Sequence, residues 1–250
     1  YQFINPKLLL TDSKAAQAEK VSLKKFYQEV SEEDEKGLEP EMEYALPEEE
    51  DVAEMLFTTG TTGTPKGAML TYRTLYASTH NTWNGVGMQT SDVVLIPLPL
   101  NHSVGMRVLR TALYVGATIV IQNGFTFAKE LERNITDFAC TALVSVPASI
   151  DLIMRQMQEQ FAEILGRLRY IEFGAGSLSY DMKKKLTALL PNTTIFNTWG
   201  STETGGAIFL NVSARPDKYM ALGKPIVQFD LTEGRYSAGA ASLYAKPNDA

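Results

Sequence analysis

Phe57-Thr58-Thr59-Gly60-Thr61-Thr62-Gly63-Thr64-Pro65-Lys66-Gly67 is the stretch on which the reading of this chain turns. Three glycines, five threonines and one lysine fall within eleven residues. An apolar run, 52–57, precedes it, and a helical pattern begins near Thr71. A strand, a glycine-rich loop and a helix in that order make an anion site. Glycine lets the backbone approach a phosphate closely and adopt positive φ. Clustered N–H groups form a concave nest for oxygen anions. Threonine hydroxyls donate hydrogen bonds or ligate magnesium, and the lysine supplies a point charge.

Downstream of this loop, strand and helix patterns alternate. Apolar runs without alternation predict buried parallel strands at 92–97, 118–121, 142–147, 170–173 and 194–197. Between them, helices are expected at 71–83, 106–114, 129–138, 149–165 and 179–190, with Thr71 as a cap and Gly116 as a stop. The fold class is therefore α/β, mostly parallel sheet flanked by helices. The loops at Thr58, His102, Gly174 and Trp199 each follow an expected strand, so ligands should gather at one rim of the sheet. Past residue 225 the pattern changes: Val227, Phe229 and Leu231 alternate with polar residues, which reads as the start of an antiparallel sub-lobe. Three segments follow, 1–50 as a first lobe ending in an acidic linker, 51–225 as the α/β lobe that carries the glycine-rich loop, and 226–250.

Composition bounds the classes. The chain has 250 residues, 44% of them hydrophobic and 21% charged, as in a water-soluble globular protein. No apolar run approaches the ~20 residues of a membrane helix, and the first residues hold no basic region or signal-peptide core. A single cysteine, Cys140, excludes an intramolecular disulfide framework and fits a reducing, cytoplasmic compartment; its apolar surroundings mark it as a core thiol. The net charge of −6 is uneven: residues 1–54 carry 15 acids and 6 bases, leaving the rest mildly basic. That balance suits an anionic nucleotide. No basic–aromatic interleaving points to nucleic acid.

The glycine-rich stretch is not a Walker A loop, G-x-x-x-x-G-K-[ST], because Pro65 precedes Lys66 and Gly67 stands where Ser or Thr is required. Its order resembles the phosphate loop of the adenylate-forming (AMP-binding) superfamily, which includes acyl-CoA synthetases and the adenylation domains of peptide synthetases. Further segments carry the same resemblance in the same order. Pro97 through Gly105 is similar to that family's P-L-x-H-x-x-G segment, and Ser145-Val146-Pro147 to its acyl-pocket segment. Gly174-Ala175-Gly176-Ser177-Leu178-Ser179 is similar to its adenine-flanking segment, and Trp199-Gly200-Ser201-Thr202-Glu203 to its aromatic-G-x-T-E motif.

The resemblance implies the layered α/β/α/β/α large domain of these enzymes, incomplete here. It implies that a carboxylic acid attacks the α-phosphorus of Mg·ATP, giving an acyl-adenylate that passes to a thiol, most often coenzyme A. Lys66, Thr202, Glu203 and His102 would be the catalytic residues. Thr58, Thr59, Gly60, Thr61, Thr62, Gly63 and Lys66 would hold the phosphates. Gly174, Ala175, Gly176, Trp199, Gly200, Ser201 and Thr202 would hold the rest of ATP or AMP. Thr62 and Glu203 would ligate Mg²⁺. His102, Ser103, Val146 and Gly174 would line the pocket for the acid. A T-G-D motif and a C-terminal lid with its lysine are expected of such enzymes but are not found here. The chain is therefore expected to be a central fragment, inactive alone. A non-catalytic AMP/ATP-binding module and an amino-acid adenylation domain are the alternative readings. His80 is expected to be structural.

Overall fold

The computed structural model describes residues 46–58, 66–125 and 127–220, and the backbone of four short strands outside them. The chain divides into Tyr1–Leu46 and Pro47–Ala250. In the first unit, β1 (Leu9–Leu10) pairs in parallel with β2 (Lys20–Val21). The acidic segment up to 45 lies outside the described residues.

The second unit begins with β3 (Val52–Thr58) and β4 (Lys66–Thr71), which pair as an antiparallel hairpin. Helix α1 (Tyr72–Val86) follows, capped by Thr71, whose hydroxyl accepts the Thr74 N–H at 3.2 Å. Then come β5 (Val93–Ile96), α2 (Ser103–Val115), β6 (Thr118–Ile121), α3 (Ala128–Asp137), β7 (Ala142–Ser145), α4 (Pro147–Met157) and α5 (Gln160–Leu165). After them run β8 (Tyr170–Phe173), α6 (Tyr180–Leu189), β9 (Thr194–Gly200) and β10 (Ala207–Asn211). Gly116 ends α2 at φ 77°, a left-handed conformation that costs glycine no Cβ clash.

The sheet order is β10-β9-β8-β7-β5-β6, parallel throughout except for the β9–β10 hairpin. Both faces are covered, which is why the strands read as unbroken apolar runs. On one face Leu95, Leu143, Ile171 and Ile195 pack with Leu131 and Ile135 of α3, Ile150 and Ile153 of α4, Leu165 of α5 and Leu186 of α6. On the other, Val94, Ile96, Val144 and Phe196 pack with Val86 of α1 and with Val108 and Ala112 of α2. The chain moves outward from β5 to β6, then returns past β5 to β7. Winding therefore reverses between β5 and β7, and the crevice at the carboxyl ends there is the expected ligand position.

Three sequence expectations need correction. The anion loop is followed by a second strand, not by a helix. The first turn of α1 lies at the far end of β4, about 20 Å of strand from Lys66. The helix expected over 149–165 breaks at Gln158, which adopts φ 51°. At the C-terminal end, β11 (Val227–Phe229) pairs with β12 (Leu243–Ala245) in parallel, not antiparallel. Alternation marks two faces but does not set a partner's direction.

The amino ends of the strands are clamped by one carboxylate. Asp92 Oδ1 accepts from Thr141 Oγ1 at 2.8 Å and from Arg169 Nε at 3.0 Å, and Oδ2 accepts from the Gln89 N–H at 2.7 Å and from Arg169. These partners sit just before β5, β7 and β8. Burial alone would raise the Asp92 pKa, but the Arg169, Gln89 and Thr141 hydrogen bonds outweigh it and hold the carboxyl below its ordinary value. A depressed folded-state pKa contributes stability above the unfolded value, about 3.9, and loses it as pH falls through the lower folded value. Urea unfolding midpoints should therefore fall as pH drops below about 4. Asp92→Asn should be less stable at neutral pH and show a weaker acid dependence. Equal acid slopes in the two proteins would refute this clamp.

Candidate active site

A cleft of about 590 Å³ opens at the carboxyl ends of β8 and β9. Gly174, Ala175 and Gly176, just after β8, form one wall; Asn197 through Glu203 form another. His102 and Ser103 at the start of α2 also line it, as do Leu56 of β3 and Leu70 of β4. The indole-to-glutamate corner, the small-residue wall and the histidine loop thus meet at one rim, as the sequence motifs predict. The corner also abuts the hairpin and α1: a Cβ on Gly205 would stand 3.0 Å from Thr74 and 3.3 Å from Leu70.

The corner departs from the sequence reading in one respect. Strand β9 continues through Trp199 and Gly200, and these residues pair with Ile208 and Ala207 of β10. The turn 201–206 is tied by the Ser201 hydroxyl, which accepts the Thr204 N–H at 3.3 Å. Trp199 is half-buried and Glu203 exposed. Gly200 has no room for a side chain, since a Cβ would sit 2.3 Å from the Gly206 carbonyl oxygen.

Of the phosphate loop, Thr59, Gly60, Thr61, Thr62 and Gly63 lie outside the described residues. Its two ends are described. Thr58 and Lys66 are the last pair of the hairpin, with the Thr58 hydroxyl 3.5 Å from the Lys66 carbonyl oxygen, and Lys66 is exposed. Neither is among the residues that line the cleft.

His102 is the N-cap of α2: its Nδ1 accepts the Val104 N–H at 3.4 Å. In the neutral ring that leaves the proton on Nε2, available to a carboxylate. His102, Val104 and Ala175 line both the cleft and a second cavity of about 470 Å³. This second cavity follows β5, β6 and β7, at the reversal of winding, and Val146 is part of its wall. The boundary is tight, because a Cβ on Gly174 would come within 3.1 Å of Val104. Ala175 itself holds a left-handed φ of 56°. Such strain in a non-glycine residue concentrates at ligand sites.

Sequence reasoning missed four residues. Glu172, on β8, is buried and ion-pairs with buried Arg107 of α2. Arg107 also donates to Thr82 Oγ1 at 2.9 Å, and the Thr198 hydroxyl donates to Glu172 at 3.0 Å. Arg110 pairs with Glu54 of β3, and its buried Nε has no partner among the described residues. Asn197 accepts the Leu178 N–H through Oδ1 at 3.3 Å, but its buried Nδ2 donates to nothing described. Arg107, Arg110 and Asn197 all line the cleft. The signal for the first pair was present: a glutamate inside an apolar strand needs a buried partner.

His80 is structural, bonded to the Tyr114 hydroxyl at 2.9 Å within a cluster of Tyr76 and Trp83. Cys140 is a buried thiol whose pKa burial raises to about 11, which fits an inert core position. Among the described residues, no three His, Cys, Asp or Glu side chains gather to hold a metal. A lone exposed carboxylate such as Glu203 nevertheless fits Mg²⁺, which binds through one or two carboxylates together with substrate phosphates.

The fold matches part of the large domain of adenylate-forming enzymes. The family model described as AMP-binding enzyme matches residues 4–232, and the chain belongs to that family. It is 30% identical over 179 residues to 4-coumarate–CoA ligase 1 of Oryza sativa subsp. japonica, covering 70% of this chain and 30% of that protein. It is 31% identical over 182 residues to a 2-succinylbenzoate–CoA ligase of Bacillus licheniformis, covering 71% of this chain and 36% of that protein. The chain thus spans about a third of the length of these curated relatives. Among solved structures, VinN in complex with L-aspartate superposes with a TM-score of 0.75 at 16% identity, over 87% of this chain and 56% of VinN. The o-succinylbenzoate CoA synthetase of Bacillus subtilis, in complex with its acyl-adenylate OSB-AMP, superposes with a TM-score of 0.70 at 23% identity, over 87% of this chain and 44% of the synthetase. At these identities the likeness establishes the fold. No helix of the described residues is long and apolar enough to cross a membrane.

Proposed function

We propose that this chain carries the nucleotide cleft of an ATP-dependent acid–thiol ligase acting in the cytoplasm. The carboxylate oxygen of the acid bonds to the α-phosphorus of ATP, and the bond to the β-phosphate breaks, releasing pyrophosphate. The thiol of coenzyme A then loses its proton and attacks the acyl carbon, and AMP leaves. The observation that carries this reading is Asn197 Nδ2, buried in a wall beside Gly174, Ala175 and Trp199 and without a hydrogen-bond partner among the described residues. A buried amide donor without a partner is costly, and a purine nitrogen is a suitable acceptor.

Each residue then has a task. Trp199 offers a flat apolar face for the base. Gly200 and Ser201 give the nucleotide close access to backbone, and the Thr202 hydroxyl donates to the α-phosphate. Lys66, Thr58 and the loop they flank bind the leaving phosphates, with Thr62 as a further oxygen ligand. Glu203 would hold Mg²⁺, which when bound neutralises charge shared between phosphates. The Nε2–H of His102 orients the acid's carboxylate, with Ser103 beside it. Preorganised donors of this kind act by positioning and electrostatics.

Acid-dependent exchange of pyrophosphate into ATP tests the reading. A protein of its relatives' full length containing these residues should catalyse it, and Glu203→Gln should slow it by roughly 10²–10³-fold. These 250 residues alone should bind nucleotide without exchange. ADP and inorganic phosphate as products, or exchange that ignores the acid, would refute it.

A further inference from the structure

The two cavities differ in what lines them. The cleft carries Arg107, Arg110 and Glu203. The described residues lining the second cavity include no Asp, Glu, Lys or Arg. Its walls include Leu98 and Pro99 after β5, Phe125 after β6 and Val146 after β7. Prolines supply no N–H, and the polar residues present are Asn101 and Ser149, with His102 at the junction. Because His102 and Ala175 line both spaces, an acid whose carboxylate lies at that junction places its remaining atoms in the second cavity.

A second carboxylate or an ammonium group there would meet no opposite charge among the described residues. An apolar or aromatic group would instead exchange water for Phe125, Leu98 and Val146. We infer that the acid activated here is a monocarboxylate with an uncharged, mainly apolar tail, aromatic or branched aliphatic, and that dicarboxylic acids and amino acids are rejected. This inference rests on the adenylating reading of the cleft.

Stable sulfamoyl-adenosine mimics of acyl-adenylates, titrated into the chain by calorimetry beside AMP, separate the two claims. The phenylpropanoyl mimic should bind at least tenfold more tightly than the succinyl or aspartyl mimic, and more tightly than AMP. A smaller preference, or tighter binding of the succinyl or aspartyl mimic, would overturn the inference while leaving the nucleotide reading standing. Failure of AMP and of every mimic to bind would overturn the nucleotide reading and this inference with it.

Discussion

Glu172→Ala should destabilise the second unit by about 3–5 kcal/mol, the range for removing one member of a buried ion pair. Glu172 and Arg107 are both buried, and the variant would leave the guanidinium with Thr82 Oγ1 as its remaining described hydrogen-bond partner. It would also strand the Thr198 hydroxyl. The pair itself is a weak net stabiliser, because both charges were stripped of water to form it. The Arg107→Met/Glu172→Leu double variant should therefore recover most of the loss. Equilibrium urea unfolding measures both. A single variant costing under 1 kcal/mol, or a double variant worse than either single, would contradict the assignment.

Gly200→Ala should be costly in stability and in nucleotide binding alike. Its Cβ would meet the Gly206 carbonyl oxygen at 2.3 Å and the Ala207 Cα at 3.3 Å. Both are backbone atoms, so no rotamer change relieves the clash, and the β9–β10 hairpin must open. Overpacking of this kind costs about 1–3 kcal/mol. The turn that carries Thr202 and Glu203 would shift with the strand end. The expected result is a lower unfolding midpoint together with weaker binding of AMP. An unchanged midpoint with unchanged affinity would show that the corner is neither tightly built nor a nucleotide contact.

Much of the fold was legible because parallel strands buried on both faces leave an unmistakable trace. The runs at Val94, Leu143 and Ile171 lack alternation, and Thr71, Gly116 and Ser179 punctuate helices by capping chemistry that is local in sequence. Three of the motifs gather for a related reason. His102 and Gly174 follow parallel strands and Trp199 lies near the end of one, so topology brings them to one rim. What escaped depends on partners distant in sequence. Lys66 through Thr71 reads as a path to a helix until Val52–Thr58 is seen beside it. Gln158 breaks a long helical pattern through one backbone conformation with no glycine or proline to announce it. Arg107 and Asn197 sit in apolar elements where their chemistry emerges only once Glu172 and the cleft are placed.

The central claim is that Asn197, the Gly174–Gly176 wall and the Trp199 corner receive one adenine nucleotide. Calorimetric titration of AMP into the wild-type chain and into Asn197→Leu tests it most directly. Saturable binding at one site, weakened at least tenfold (about 1.4 kcal/mol) by Asn197→Leu, is the predicted result. Equal affinity in the two proteins, or no binding of AMP to the wild-type chain, would contradict it.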